Sequence, residues 1–463
     1  MTDFVNRSEE LDRLHGLFDS ENADLAAVYG RRRLGKTRLV KKALERRENA
    51  VFYQARQKTR DLQLEQFVEA AADSFPGIED IRPDWERLFR YLADQNAIVV
   101  LDEFPYLIEQ DESLPSVLQA LFDHEFDESQ TTFVLVGSSI SMMEEATLLG
   151  DSPLYGRTSL TLDIGELSFD AATEFLPDDV TADEAVRALS IFGGVPYYLE
   201  ELDADRSLAE NVQQTVLTRH GSLRNEPEFV LRMELTEPTR YFSILEAIAG
   251  GATGRNEIAG VTGIDYNQLS TYLDRLSRLR LIERHVPVTE NPERSKRSQY
   301  RLRDPLFRFW FRFLYGSADR YDQFGDEAYE RLVKPELSDF VAPAFEQLCC
   351  EALWTLYDET PIVNVGQWWY QDHEIDVVGL TDEEMLVVGE CKYQESSLDY
   401  SALASLETHV EELRWQPSGS GTRTVEYALF SRSGFTDSIR DAAGERDDVR
   451  LYTINDVVAA LGE

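Results

Sequence analysis

The chain is poor in lysine and in cysteine, and it has no long apolar run. Its three cysteines are Cys349, Cys350 and Cys391. Two are adjacent and the third is distant, which argues against a disulfide framework or a spaced zinc site and leaves Cys349 and Cys350 as packed apolar residues. No stretch is long and apolar enough to cross a bilayer, and Met1-Thr2-Asp3-Phe4 makes no charged-then-apolar leader. The expected compartment is the cytoplasm, with no membrane partner. Seven of the 46 basic residues are lysines, against 86 Asp and Glu, for a net charge of −40. So large a surplus repels itself in dilute buffer. At molar salt the screening length falls to about 3 Å and the penalty fades.

The charge is unevenly spread. Residues 1–60 carry 14 Lys and Arg against 9 Asp and Glu, and residues 236–320 carry 14 against 10. Each basic island needs its own explanation. The first contains Gly30-Arg31-Arg32-Arg33-Leu34-Gly35-Lys36-Thr37, a full match to G-x-x-x-x-G-K-[ST]. An apolar strand pattern over 25–29 precedes it, and helical spacing at Leu39, Val40, Ala43 and Leu44 follows. Gly30 and Gly35 permit a tight turn whose N–H groups converge on phosphate oxygens at a helix N-terminus. In that setting Lys36 reaches the β- and γ-phosphates and the Thr37 hydroxyl binds Mg²⁺. The pattern implies ATP and Mg²⁺ as cofactors.

A second strand is expected over 50–54 and a helix over 62–75. The apolar run Ala97-Ile98-Val99-Val100-Leu101 then ends in Asp102-Glu103. Asp102 is placed to hold the Mg²⁺ shell, and Glu103 to orient and deprotonate the attacking water. A strand over 131–136 ends in Gly137-Ser138-Ser139, where Ser138 either meets the γ-phosphate or belongs to a serine-rich turn. Arg157 is either an arginine finger for a neighbouring subunit's nucleotide, which would require a homo-oligomer, or a surface arginine.

These residues resemble the archaeal AAA+ ATPases close to the STAND signalling ATPases. The resemblance rests on Phe4-Val5-Asn6-Arg7, Glu9-Glu10-Leu11, the phosphate loop, Leu101-Asp102-Glu103-Phe104, the 152–157 segment and Gly193-Gly194-Val195-Pro196-Tyr197-Tyr198-Leu199. It implies that the N-terminal segment and the turn at Pro196 flank the adenine, and that a small helical lid follows the sheet, with helices near 170–175 and 183–192. Many members carry Asn or Thr where this chain has Ser138 and Ser139, a departure that points to slow hydrolysis. The acid-rich, lysine-poor surface is similar to that of proteins from halophilic archaea; the alternative is an ordinary acidic protein that avoids nucleic acid.

The second basic island reads as a winged helix-turn-helix. Helical spacing over 241–248 is followed by a short helix over 255–261, a Thr262-Gly263 turn and a longer helix over 267–281. A hairpin follows, 282–288 and 298–302 around a polar loop. Asn267, Gln268, Thr271, Arg275 and Arg278 are expected to face a DNA groove, and Arg294, Lys296 and Arg297 its phosphates. Winged helices also serve as protein-binding modules. Six phosphate contacts lose about 10³-fold in affinity between 50 and 200 mM salt, so binding at high salt must lean on shape and base contacts. The aromatic segment Phe307, Phe309, Trp310, Phe311 and Phe313 is either a base-stacking platform or, better, a core helix.

The remainder reads as a helix (337–357), strands over 363–369, 374–380 and 385–392, a helix (400–413), a strand (425–430), a helix (436–443) and a strand (449–453). This αβββαβ order resembles the restriction-endonuclease-like, or PD-(D/E)xK, superfamily. On that resemblance Asp376 is the motif's Asp, Glu390 and Lys392 its E-x-K, and Glu346 the helical acid. Positions 390 and 392 are two apart on one strand and face the same way. Asp376 lies on the paired strand if the turn is at 381–384. Glu346, Asp376 and Glu390 would then hold Mg²⁺, with Lys392 beside it.

The expected fold is α/β throughout: a P-loop (AAA+-type) ATPase core (1–165), a helical lid (166–235), a winged helix-turn-helix (236–320) and a nuclease-like α/β domain (325–463). The expected function is an ATP-binding protein, a Mg-dependent ATPase whose nucleotide state controls a DNA-binding winged helix and a nuclease-like domain. The alternative is an ATP-gated DNA- or protein-binding regulator with an inactive nuclease-like domain. A helicase-type translocase lacks a second motor domain.

Overall fold

Five short apolar runs build the first sheet. They are β1 (Asp24–Tyr29), β2 (Ala50–Gln54), β3 (Ile98–Asp102), β4 (Thr132–Gly137) and β5 (Leu160–Asp163), all parallel in the order β2-β3-β4-β1-β5. The computed structural model describes residues 4–126, 129–235, 238–382, 385–415 and 423–462, which divide into two units. One is Met1–Glu166 with Val195–Tyr197; the other is Leu167–Gly194 with Tyr198–Glu463. No helix among the described residues is long and apolar enough to cross a membrane.

In the first unit β3 and β4 are buried along their whole length, which is why they are continuous apolar runs rather than alternating ones. The chain leaves central β1 and crosses to edge strand β2, so the loop after β1 opens where strand order reverses, the usual ligand crevice of such sheets. Helices Arg60–Ala72 and Trp85–Ala93 cover one face. Phe67 meets Trp85 edge-on at 5.3 Å, and Phe89 meets Phe133 of β4 at 5.0 Å. Such pairs add about 0.5–1.5 kcal/mol each beyond their buried area.

The second unit opens with helices Phe169–Thr173 and Ala182–Phe192, which fall where the sequence leads one to expect a lid. Thr181 and Glu184 close a capping box at the start of the latter, satisfying two orphan N–H groups. Helices Pro238–Ala249, Arg255–Thr262 and Tyr266–Arg278 follow, then the antiparallel hairpin β6 (Ile282–His285) and β7 (Gln299–Leu302). Gly263, at φ 67, ends the middle helix in the left-handed region, and Asp265 caps the third. The aromatic segment is core: Phe307, Phe309, Trp310, Phe311 and Phe313 are all buried, and the Trp310 indole donates to the Arg224 carbonyl at 2.8 Å. It runs as Pro305–Phe309 and then as a wider π-type turn, Trp310–Leu314.

A mixed sheet completes the unit: β8 (Ile362–Tyr370), β9 (His373–Thr381), β10 (Met385–Lys392), β11 (Thr424–Ser431) and β12 (Val449–Thr453), in the order β12-β11-β10-β9-β8. Strands β8, β9 and β10 pair antiparallel; β10, β11 and β12 pair parallel. Helix Leu337–Leu356 packs on β8, β9 and β10, and Tyr400–Glu412 on β9 and β10. Val288, from the hairpin loop, joins the core with Trp368, Ile375 and Val378. Its N–H donates to the Gln367 carbonyl at 2.9 Å, so the loop covers part of the β8 edge. Met1-Thr2-Asp3 and part of the expected 381–384 turn lie outside the described residues. A last helix, Ile454–Leu461, was not expected from the sequence.

Candidate functional site

The phosphate loop is shaped by what a side chain would hit. A Cβ on Gly30, at φ 149, would lie 2.3 Å from the Ile164 carbonyl oxygen, where β5 closes on β1. Gly35 and Arg33 have φ 83 and 72, turning successive peptides inward before helix Lys36–Ala43. Lys36 is 6% exposed, and its ammonium donates to the carbonyls of Gly30 (2.8 Å) and Arg31 (2.7 Å). That bends its side chain back over the loop.

Asp102 ends β3, and parallel pairing sets it beside Gln54 of β2. Its Oδ2 accepts from the Thr37 hydroxyl at 2.9 Å and from Gln54 Nε2 at 3.0 Å; its Oδ1 accepts from the Glu103 N–H. Asp102 is only 1% exposed. Burial, aided by the Glu103 charge, raises its pKa, while the Thr37 hydroxyl works the other way. A hydroxyl and a buried, charge-starved carboxylate side by side make a donor set that fits Mg²⁺. Glu103 sits at φ 53, a left-handed conformation unusual for a residue with a side chain. Its carboxylate accepts from the Ser138 hydroxyl at 2.8 Å, across from the end of β4. Gly30, Gly35, Lys36, Thr37, Asp102, Glu103 and Ser138 thus lie at one carboxyl edge of the sheet.

Arg157 is placed elsewhere. Its guanidinium makes a fork with both Asp123 oxygens, 2.7 Å each, and also donates to the Pro153 and Tyr155 carbonyls. Pro196 begins helix Pro196–Glu200, and the next residue, Tyr197, lies under the Arg33 guanidinium at 3.9 Å. The partners Gln54, Arg33, Tyr197 and Asp123 were missed from sequence. Gln54 was findable, since it ends the strand that pairs with β3.

In the second unit the β9–β10 register sets Val377 opposite Gly389, so Asp376 and Glu390 flank the next step of the ladder. Asp376 Oδ2 accepts from the Cys391 N–H at 2.9 Å. Glu390 pairs with Lys392 along the same strand face. Glu346, on helix Leu337–Leu356, accepts from Gln367 Nε2 at 2.9 Å, while Gln367 Oε1 is buried with no hydrogen-bond partner among the described residues. Burial raises the pKa of Asp376 well above its usual value, and the Glu346 and Glu390 charges add to it. Burial raises Glu346 too, opposed by Arg301 of β7. Burial works against the Lys392 charge, but Glu390 and Asp376 outweigh it and hold its pKa up.

Among the described residues no group of three or more His, Cys, Asp and Glu is close enough to hold a metal ion. The three acids are turned to different partners: Glu390 to Lys392, Asp376 to a backbone N–H, and Glu346 to Gln367. They form a charge surplus, not a cage. Cys349 is buried, as expected of a packed residue, whereas its neighbour Cys350 is only partly buried.

Asn267, Gln268, Thr271, Arg275 and Arg278 are exposed along helix Tyr266–Arg278, and Arg294 and Lys296 are exposed on the loop between β6 and β7. Arg297 is not offered to a phosphate. It pairs with Glu290, donates to the Trp369 carbonyl at 2.7 Å and lies over the Tyr370 ring.

Residues 4–202 match a family described as an ATPase domain predominantly from Archaea, and residues 310–403 match one of archaeal and bacterial proteins of unknown function. An uncharacterised protein of Methanocaldococcus jannaschii is 34% identical over 385 residues, covering 82% of this chain and 85% of that one. An uncharacterised ATP-binding protein of the same organism is 51% identical over 45 residues, 10% of this chain and 76% of its own. A solved Walker-type ATPase of Pyrococcus abyssi superposes with a TM-score of 0.52 at 21% identity, covering 67% of this chain and 96% of that one, a likeness of fold alone.

Proposed function

Because the chain belongs to the archaeal P-loop ATPase family, we propose that it is a Mg-dependent ATPase whose nucleotide state controls a DNA-binding helix-turn-helix and a nuclease-like C-terminal domain. One observation carries the reading: the run of side chains Thr37–Asp102 and Glu103–Ser138 along the carboxyl edge of the first sheet. Thr37 and Asp102 would hold Mg²⁺, which when bound neutralises charge on the β- and γ-phosphates. Lys36 would turn from the loop carbonyls to the phosphates. Glu103 would orient a water and take its proton, with Ser138 fixing the carboxylate. Tyr197 and Arg33 shape the wall at Pro196. Arg157, tied to Asp123, acts as a clamp in its own chain; action on a neighbour's nucleotide would need a homo-oligomer and release of that pair.

At the C-terminal site Glu346, Asp376 and Glu390 gather negative charge that favours a cation, and Lys392 would stabilise charge developing on a DNA phosphate. The overall order of strands and helices supports a PD-(D/E)xK-like domain. The exposed helix-turn-helix face supports DNA as partner. The acidic surface supports a halophilic setting. A second reading, an ATP-gated regulator whose C-terminal domain binds without cutting, is favoured by the separate partners of the three acids, Lys392, the Cys391 N–H and Gln367. Plasmid nicking in molar KCl with Mg²⁺ or Mn²⁺ separates the two: nicking abolished by Lys392→Ala supports the nuclease, and no nicking in any divalent metal supports the regulator.

A further inference from the structure

Tyr393 directly follows Lys392 and is buried, 6% exposed. Its hydroxyl donates to Asp183 Oδ1 at 2.6 Å and accepts from Arg187 Nε at 3.1 Å. Both partners lie on the lid helix Ala182–Phe192, about 200 residues earlier in the chain. Asp183 also pairs with Arg187 (2.7 Å) and with Arg432 (2.8 Å). Arg432 in turn lies over the Tyr393 ring at 4.9 Å, and its backbone N–H donates to the Lys392 carbonyl at 3.1 Å. The ring's other neighbour is Phe345, at 5.5 Å, the residue before Glu346.

Lys392 is therefore bracketed. Its covalent neighbour and its backbone partner are both held by one carboxylate of the lid, and the same ring touches the helix that carries Glu346. A buried phenol and a guanidinium sharing one carboxylate make a linked network, in which moving one member re-aims the others. Charge-assisted bonds of this kind are short and directional, so the linkage is stiff.

The other end of the lid helix is equally constrained. A Cβ on Gly193 would lie 2.9 Å from Pro305, and one on Gly194 would lie 2.2 Å from the Leu167 carbonyl oxygen. The chain then passes into Val195–Tyr197, which belongs to the first unit, where Tyr197 lies under Arg33 of the phosphate loop. One helix of 11 residues thus links, through the chain itself, the turn beside the phosphate loop to the strand end that carries Lys392.

We propose that Tyr393 is a positioning residue of the C-terminal site and the joint through which the lid helix passes the nucleotide state to Lys392 and Glu346. This rests on the reading of that site as controlled by ATP. In this scheme Asp183 is the lever's contact, and Arg432 and Tyr393 are the two arms that fix Lys392. Tyr393→Phe keeps the ring against Phe345 and Arg432 and removes only the hydroxyl; Asp183→Asn keeps the shape and removes the charge.

The test is hydrogen–deuterium exchange on the full chain in molar KCl, with and without a non-hydrolysable Mg·ATP analogue. Analogue affinity is measured alongside by calorimetry, and folding by circular dichroism. In the unaltered protein the analogue is expected to change uptake in Met385–Lys392 and in helix Leu337–Leu356. In Tyr393→Phe and Asp183→Asn the affinity for the analogue should stay within about twofold while that distal change disappears, as expected when a coupling free energy is removed and a site is not. If either folded variant keeps the distal change, the joint is wrong while nucleotide control stands. If the unaltered protein binds the analogue with no distal change at all, nucleotide control itself falls, and the joint with it.

Discussion

The Ser138 hydroxyl donates to the Glu103 carboxylate at 2.8 Å, joining the end of β4 to the residue that follows β3. Glu103 is held in a left-handed backbone conformation, at φ 53, so its side chain is aimed by the backbone and steadied by one hydroxyl. Ser138→Ala should lower kcat for ATP about tenfold with KM changed less than about twofold, since one orienting hydrogen bond is lost. Glu103→Gln should lower kcat by at least 10² while Mg·ATP still binds. A Ser138→Ala effect confined to KM would show that the serine touches substrate and not the base.

Gly30 has no room for a methyl group, because the Ile164 carbonyl lies where a Cβ would stand. Its φ of 149 adds backbone strain for any other residue. Gly30→Ala is expected to cost about 2 kcal/mol or more and to weaken nucleotide binding together with stability. Denaturant melts with and without Mg·ATP check both. Full stability in Gly30→Ala would mean that β5 does not close on the loop.

Burial raises the pKa of Asp376, with the Glu346 and Glu390 charges adding to it, and burial raises that of Glu346, with the Glu374 charge adding to it. A carboxyl whose folded-state pKa is raised contributes stability that is fully present below its unfolded-state pKa and is lost as pH rises through the folded value. At neutral pH each therefore costs stability in metal-free protein. Asp376→Asn should raise Tm at pH 7.5 in EDTA, and the gain over the unaltered protein should shrink as pH falls into the ordinary carboxylate range. Calorimetry at a series of pH values in molar KCl measures it. A gain that does not change with pH contradicts the assignment.

Arg294 and Lys296 are exposed on the hairpin loop, whereas Arg297 is spent on Glu290 and the Trp369 carbonyl. Replacing Arg294 and Lys296 by Ala should reduce the slope of log K against log [KCl] for duplex DNA by about 0.9 per lost phosphate contact. Arg297→Ala should leave that slope unchanged and lower Tm. Fluorescence anisotropy titrations over a salt series separate the two, and equal slopes for all three proteins would remove the loop from the DNA interface.

Much of the local structure was legible because buried parallel strands are apolar runs with sharp ends. The run at 50–54 coincides with β2, and 385–392 coincides with β10. Helix ends moved by a few residues: the span expected over 62–75 is Arg60–Ala72. The helix Ile454–Leu461 went unread although Ile454, Val457, Val458 and Leu461 fall at helical spacing and its Thr453–Asp456 cap is plain in the sequence. What local pattern cannot carry is pairing at a distance. Nothing near Tyr393 announces Asp183, and nothing near Arg297 announces the Trp369 carbonyl. Acids spaced for a metal were readable as residues, but their turning to Lys392, Cys391 and Gln367 depends on packing between elements.

The most direct test is calorimetric titration of Mg·ATP into the full chain in molar KCl, for the unaltered protein and for Lys36→Ala. The account predicts saturable uptake of about one nucleotide per chain that is lost in Lys36→Ala, because the lysine is the loop's own cation for the phosphates. No uptake by the unaltered protein, or equal uptake by both, would contradict it.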